Sequence, residues 1–560
     1  MFILPFVILL FKYTIFYCFL YLLGKSLITS LSKIFVLNSN KSNLLGTRID
    51  YLYPLFGLIV LGNLLIFLNT FLPIKGFFVA SIFILLAIPS LKGLNISLRK
   101  SINLDFIFSF VVLPIILVIS TYDITFNYDA GYYHLLHQNW IRESNMIIGM
   151  VNIFFALGMS SIYEYISAFL WFDETMVFLH FLNIYFVHFF YLFIKENLIN
   201  KKYQSLYNVS LIILIFSIMD NFGFGGGRNG FIYIQGVTKQ DTTVGILFWF
   251  LTIVILHKIY NSEITRLEIT ALSLITFFVY QIKVSGVMIV FIYAYLIFSL
   301  LIKKNYKLST LLYLHIPAFI LIIIWFSKSL ITTGCFIYPV DITCIESFNW
   351  YVKGSTANVE YYTKLASKNY NLSIPFTEWI QKVAKDTFEH RGQVLKNFLI
   401  SSSIIYGIKI AFFDKLRGHL VLKLFMASFV LVNFTYLLFY GPIPRYAIGI
   451  CMVSVSLIGY FSGKLKFEIN NSIKYGLIFL SVFSVVRLNS YISFIENDDL
   501  RISNPLEVEL IYEDVVFINA FENWVKPEIG DQCWANLKCT MSDQDIYFTE
   551  NSIFKTAYRK

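Results

Sequence analysis

The stretch Tyr122–Trp171 decides the fold. It reads YDITFNYDAGYYHLLHQNWIRESNMIIGMVNIFFALGMSSIYEYISAFLW. It lies among long apolar runs, yet it gathers Asp129, His134, His137, Arg142, Glu143 and Glu164 between Tyr, Trp and Asn. Read as a helix at 100° per residue, 129–143 puts Asp129, Tyr133, Leu136, Trp140 and Glu143 within about 40° of one line. His134, His137, Gln138 and Ile141 form a second face. Both faces mix apolar and polar groups, as in a helix lying on a membrane surface with aromatic anchors. The following run, 151–171, is apolar but carries Asn152, Gly158, Ser160, Ser161 and Glu164.

The flanking sequence sets the class. The chain is 57% hydrophobic and 14% charged over 560 residues, with a mean hydropathy of +0.69. A soluble domain carries roughly 25% charged residues. The deficit runs over most of the length, which predicts an all-α polytopic membrane protein. Its net charge of +10 then belongs to cytoplasmic loops and does not imply nucleic acid. The N-terminus, MFILPFVILLFKYTIFYCFL, lacks a basic leader and a small-residue cleavage site, so it reads as a retained span.

About fourteen candidate spans follow from the need for roughly 20 apolar residues each. They lie near 2–24, 52–72, 76–91, 105–121, 175–194, 207–219, 243–257, 267–281, 285–302, 309–326, 397–413, 420–440, 446–462 and 475–487. Alternate loops carry the basic residues: Lys25 to Arg48, Lys92 to Lys100, Lys195 to Lys202, Lys258 to Arg266, Lys303 to Lys307, Lys415 to Lys423, and Lys464 with Lys466. All fall on one side if the N-terminus is outside. The long loops 122–174, 220–242 and 327–396 then face the periplasm or exterior. They belong to a membrane domain, 1–487, followed by a small periplasmic domain, 488–560. Both termini lie outside a bacterial inner membrane. The same parity makes 151–171 re-entrant or interfacial, which requires protein or a water-filled cavity to cover it.

The outer loops supply the candidate chemistry. Asp129 has two readings, a helix N-cap or a general base for an acceptor hydroxyl. Glu164 sits in an apolar run, where an ionisable group implies function with a partner; Arg228, Lys239, Lys283 and Arg445 are the candidates. His134, His137, Arg142 and Asp241 complete the substrate-binding set. His134 and His137 stand at i, i+3, but no third metal ligand is visible, and no cofactor is required. Gly225, Gly227 and Gly230 spell GxGxxG around Arg228. They follow no strand and open no βαβ unit, so a dinucleotide site is not implied. Successive glycines can instead turn N–H groups toward an anion. Lys239 and Asp241 precede a span, Lys283 sits in a tight outer turn, and Arg445 follows a Pro-rich turn. The bland alternatives are a flexible loop for Lys239 and snorkelling for Lys283.

NYDAGYYHLLHQNW from Asn127, the Lys283 turn, TTGCFIYPV from Thr332, GPIPRYAIG from Gly441 and GDQCWANLKCT from Gly530 resemble a family of bacterial polytopic membrane proteins of unassigned activity. More distantly, the plan resembles GT-C glycosyltransferases, multi-span enzymes with an acidic base in a large outer loop. That resemblance implies Asp129 as base, with Arg445 and Lys239 on the lipid phosphate. The chain departs from it: the acidic loop follows the fourth predicted span and there is no DxD motif. The expected function is a membrane glycosyltransferase using a polyprenyl-phosphate-linked sugar and a glycan or lipid acceptor. The alternatives are a surface polysaccharide polymerase or ligase, a lipid-linked glycan transporter, or a non-catalytic assembly protein.

Cysteine usage is independent of that resemblance. Cys18 and Cys451 lie in apolar spans, whereas Cys335 and Cys344 share one outer loop and Cys533 and Cys539 share the tail. Two close pairs on the predicted outer side point to two disulfides in an oxidising compartment. Neither pair has the spacing of a zinc site. Mass spectrometry of protein from the native membrane should find these four thiols protected from alkylation until reduction. Four free thiols would reverse the assigned side.

Overall fold

The computed structural model describes residues 3–35, 43–75, 77–91, 103–172, 176–224, 231–261, 264–366, isolated positions between 375 and 409, 420–440, 444–462, 469–496, 515–542, 544–551 and 554–559. Among them, eight helices are long and apolar enough to cross a membrane. They are Leu4–Ile34, Ile49–Asn69, Leu104–Asp123, Val177–Asn200, Gln204–Phe222, Asp241–Asn261, Val284–Ile302 and Leu308–Thr333. The protein is a multi-pass membrane protein.

These eight coincide with eight of the candidate stretches, and the others take different forms. Stretches 76–91 and 446–462 form shorter apolar helices, Phe78–Leu91 and Arg445–Phe461. Stretch 475–487 belongs to a pair, Asn471–Val485 and Leu488–Glu496, bent by 82°; taken as one span it would be the ninth. Helix Arg266–Ile282 is buried from Leu267 to Ile282, so it is solvated by protein and escapes the length rule for a lipid-facing span. Helix Leu420–Tyr440 covers the stretch 420–440. Stretch 397–413 lies almost wholly outside the described residues.

Burial sorts the helices into centre and rim. In Val177–Asn200 and Asp241–Asn261 the apolar window is 94% and 89% buried, against 22% in Leu308–Thr333. The rim helix turns Ile320 and Ile323 outward, where lipid replaces protein.

Tyr122–Trp171 makes no long helix. It folds as helices Leu135–Glu143 and Ile162–Leu170, with single 3₁₀ turns at Met150–Asn152 and Phe155–Gly158 between them. Its backbone is held by the ends of several long helices. The Asn69 side chain donates to Ile141 O and Ser144 O at 3.1 and 3.0 Å, and Met146 N donates to Asn69 O. Gly149 N donates to Ile331 O. Ser161 caps the second helix by accepting from Tyr163 N, and its hydroxyl donates to Ile282 O at 2.6 Å. Tyr163 Oη meets Thr243 Oγ1 at 2.7 Å. Protein therefore covers this irregular backbone, as membrane depth demands.

The tail departs from the all-helical expectation. Strands Phe517–Phe521 and Trp524–Pro527 form one antiparallel hairpin, and Ile546–Asn551 and Phe554–Arg559 another. Cys533–Cys539 closes the chain between the hairpins, and Cys335–Cys344 closes the loop after Leu308–Thr333. Helix Leu488–Glu496 packs on Ile119–Asp123 of the membrane part, so the strands begin well after it. The hairpins share one apolar core with the decisive stretch: Leu136, Ile147, Phe154 and Leu157 meet Trp524, Ile546 and Ala557. Trp534 N donates to Gly131 O at 2.7 Å, and Ile148 exchanges backbone bonds with Lys555 and Ala557. A Cβ on Gly131 would meet Gln532 Oε1 and the Trp534 ring. Overpacking of this kind costs about 1–3 kcal/mol. Gly131→Val should therefore loosen the tail, read as faster proteolytic cleavage after residue 515 while the membrane core stays intact. An unchanged cleavage rate would show that the tail does not depend on this seat.

Candidate functional site

The polar residues of the outer loops collect in two adjoining groups. The first begins at Asp129. Its backbone is helical and its side chain makes no capping bond, so the N-cap reading is not realised. The carboxylate instead reaches Lys239 Nζ at 2.6 Å. Lys239 is brought there by its loop. Val237 N donates to Thr125 O, Asn183 Nδ2 donates to Gln235 O and Gly236 O, and Gln235 Oε1 accepts from Thr242 N at the start of the next helix. Burial tends to raise the Asp129 carboxyl, but the hydrogen bond and charge of Lys239, with His134 and Arg445 beyond, hold it below its ordinary value.

Two residues on, Asp241 opens helix Asp241–Asn261 and is ion-paired to Lys283 from the turn before Val284–Ile302. Lys283 also lies over the Tyr446 ring, 4.7 Å from its centroid. Arg445 stacks on the same ring at 4.8 Å and donates to the Tyr446 hydroxyl at 2.8 Å. Among the described residues Arg445 has no carboxylate partner. Asp129, Lys239, Asp241, Lys283 and Arg445 thus meet at one place. Beside it lies a shallow cleft with Asp241 and Arg445 at its head and Val244, Phe248, Met288 and Ile448 as walls. Gly449 lets Phe248 lie close, since a Cβ there would sit 2.7 Å from the Phe248 side chain.

The second group centres on Glu164, 1% exposed. His134 Nδ1 lies 2.5 Å from its carboxylate and Gln138 Nε2 donates to it at 3.0 Å. Among the described residues its partner is therefore His134; of the expected cations, Lys239 and Lys283 are taken by Asp129 and Asp241. His134 and Gln138 stand four apart, so one helical face delivers both. Burial tends to raise Glu164, but His134, His137 and Gln138 outweigh it and hold the carboxyl below its ordinary value. Burial pushes His137 down to about 3, which leaves it neutral. Tyr133 joins the two groups. Burial and the charges of Asp129, Glu164 and Asp241 push its phenol well above the usual range.

Arg142 lies elsewhere. It donates to Ala168 O and Trp171 O at the end of Ile162–Leu170 and stacks on Trp171 at 5.1 Å. Arg228 and its glycines fall outside the described residues. Among the described residues no three His, Cys, Asp or Glu side chains sit together as metal ligands. Lys328 was missed from the sequence. It is 3% exposed, lies 4.3 Å from the Trp325 centroid and acts electrostatically on Glu164. A lone lysine inside an apolar span carries the same signal that singled out Glu164.

Residues 6–452 match the family described as a domain of unknown function, DUF8201. The chain belongs to the DUF8201 family. Its matched region contains both polar groups and ends before the tail hairpins. Comparison with curated proteins and with solved structures finds no match in either. In this DUF8201 member the Asp241 side chain is 3% exposed, against 30% for Lys283. Removing one partner of a buried pair costs about 3–5 kcal/mol, because the other charge is stranded; partial exposure of Lys283 puts this pair at or below the low end. Lys283→Met should lower the unfolding temperature, and adding Asp241→Asn should recover most of the loss. An additive double variant would mean that the two side chains do not act as a pair.

Proposed function

We propose that this DUF8201 protein is a GT-C-like membrane glycosyltransferase that uses a polyprenyl-phosphate-linked sugar for cell-surface glycan assembly. The observation that carries the reading is Arg445 at the head of an apolar groove between membrane helices, beside the two ion pairs. A lipid-linked phosphate needs both features, an apolar wall for its chain and cations for its head. Arg suits the phosphate because its planar guanidinium donates two parallel bonds. Lys239 and Lys283 are each balanced by a carboxylate, Asp129 and Asp241, so Arg445 supplies the net positive charge, already in place as the leaving phosphate gains charge. Both disulfides belong to the outer loops and tail, which supports a site on the oxidising side of a bacterial inner membrane, with both termini there.

A surface polysaccharide polymerase or ligase is the second reading. It is favoured by one observation: Asp129 is occupied by Lys239, so the chemistry at this spot is led by cations. The donor separates the two readings. Full-length protein in nanodiscs is given decaprenyl phosphate carrying a panel of radiolabelled monosaccharides, and decaprenyl pyrophosphate carrying oligosaccharides. The first reading expects sugar release from a monophosphate donor, with a loss of about a hundredfold in Arg445→Ala, within the range for removing one transition-state donor. Turnover of pyrophosphate donors alone would favour the polymerase. Turnover of neither, with no binding of decaprenyl phosphate, would overturn both.

A further inference from the structure

The buried Glu164–His134 pair does something the cation cluster cannot. Glu164 lies 1% exposed, and its carboxylate can only accept hydrogen bonds. One oxygen takes Gln138 Nε2 at 3.0 Å and the other faces His134 Nδ1 at 2.5 Å. That contact fixes the tautomer: Nδ1 carries the hydrogen and donates it, so the lone pair of the neutral ring sits on Nε2. Among the described residues the hydrogen bond of this ring is made through Nδ1. The Tyr133 ring packs against it, tilted by 33° with 4.1 Å between centroids. His134 closes the helical turn Ala130–His134 that Asp129 opens, next to the proposed phosphate site. Asp129 itself is tied to Lys239.

We propose that His134 is the proton acceptor of this site and that Glu164 is its positioning residue. This deepens the glycosyltransferase reading and rests on it. The acceptor is a hydroxyl of a glycan or lipid. Its oxygen forms the new bond to the anomeric carbon while its proton passes to His134 Nε2. The bond from the anomeric carbon to the phosphate oxygen breaks, and its electron pair leaves with the polyprenyl phosphate. The imidazolium is stabilised by Glu164 until it returns the proton to water. The charged and titratable groups facing this pair are Asp129 and Tyr133 on the entering turn, His137 on the same helix, Tyr165 beside Glu164 and Lys328 from Leu308–Thr333. His137 is sealed and neutral, with Nδ1 unpartnered, so it does not compete as the base.

Two arms test the pair on the full chain in nanodiscs. The first needs no substrate. Diethyl pyrocarbonate modifies an unprotonated imidazole nitrogen, and mass spectrometry locates it. His134 should react in the folded protein while His137 does not. In Glu164→Gln the pH midpoint of His134 modification should move lower, because the stabilising anion is gone. An unreactive His134, or a midpoint that does not move, overturns the proposal. The second arm measures release from the decaprenyl-phosphate monosaccharides. His134→Gln and Glu164→Gln should each lower kcat by about a hundredfold or more, the scale of general base catalysis. KM for the donor should stay near wild type. The acid limb of the pH profile should move to lower pH in Glu164→Gln, and Glu164→Asp should recover part of the rate. A rate loss with an unmoved acid limb would mark Glu164 as structural only and overturn the proposal. If no donor is turned over by wild type, the transfer reading falls, and the modification arm still decides the pair.

Discussion

A carboxylate taken out of water at the end of an apolar helix must find its counter-charge inside the protein, and this constraint organises one end of the bundle. Three carboxylates meet it in three ways. Asp129 takes Lys239, Asp241 takes Lys283, and Glu164 takes His134. Each contact crosses between segments distant in sequence: 110 residues for the first, 42 for the second and 30 for the third. Each therefore closes one loop against another. Unmaking the Asp241 or Glu164 contact strands a buried carboxylate, which is costlier than the pair was favourable. The loops are held by this arithmetic more than by regular secondary structure. Arg445, placed on Tyr446 with no carboxylate partner among the described residues, is left as the charge that a ligand can use.

The same stretch that supplies the carboxylates also seats the tail. Two hairpins of this size would not fold alone, since isolated hairpins are marginal and small domains bury too little surface. The disulfide Cys533–Cys539 spans only 6 residues, so it removes less unfolded-state entropy than a long-range bridge would. The missing stabilisation comes from docking. Thr540 donates to Ile153 O, and Arg559 donates to Val151 O and Asn152 O. Asn152 in turn donates to Ala557 O and Trp350 O, joining the third outer loop. Site geometry and tail docking are thus coupled through 128–157. Tyr128 shows it most directly, one residue before Asp129 and hydrogen-bonded to Asp531 of the tail.

The membrane plan was legible because it rests on local composition. Helices Val177–Asn200 and Asp241–Asn261 announce themselves by unbroken apolar runs, and basic-loop parity already removed 151–171 from the spans. Asp129, Glu164, Lys239, Asp241, Lys283 and Arg445 were also legible as odd charges near membrane depth. Who pairs with whom was not. Hydropathy carries no information on contacts between residues 110 apart, and it could not separate Arg142, which closes the end of its neighbour helix, from Arg445. The hairpins were missed although FINAF and WVKP, then IYFTEN and FKTAYR, are β-branched and aromatic runs around short turns. A tail read only for polarity hides that period.

The other end of the bundle gives the contrast that makes the outer cluster informative. Helix Asp241–Asn261 carries Asp241 at one end and Lys258 at the other, about 25 Å apart at 1.5 Å per residue. Lys258 pairs with Glu268 at 2.6 Å, and Glu268 also closes a capping box with Thr265 and accepts from Leu45 N. Nearby Lys195, 0% exposed, binds Asp105, Tyr51 and Ser109 at once. Every donor of that ammonium is answered, so these residues lock helix ends together and leave nothing over for a ligand. Two of the lysines counted as loop charge are thus internal struts, and the solvated basic signal of that face rests on residues such as Lys201 and Lys202. The Asp129–Arg445 end uses the same pairing chemistry. Among the described residues Arg445 has no carboxylate partner and His134 is hydrogen-bonded through Nδ1, and Asp129 lies within reach of both. Among the described residues, one end of the bundle uses Lys195 and Lys258 as internal struts, while the other keeps Arg445 without a carboxylate partner.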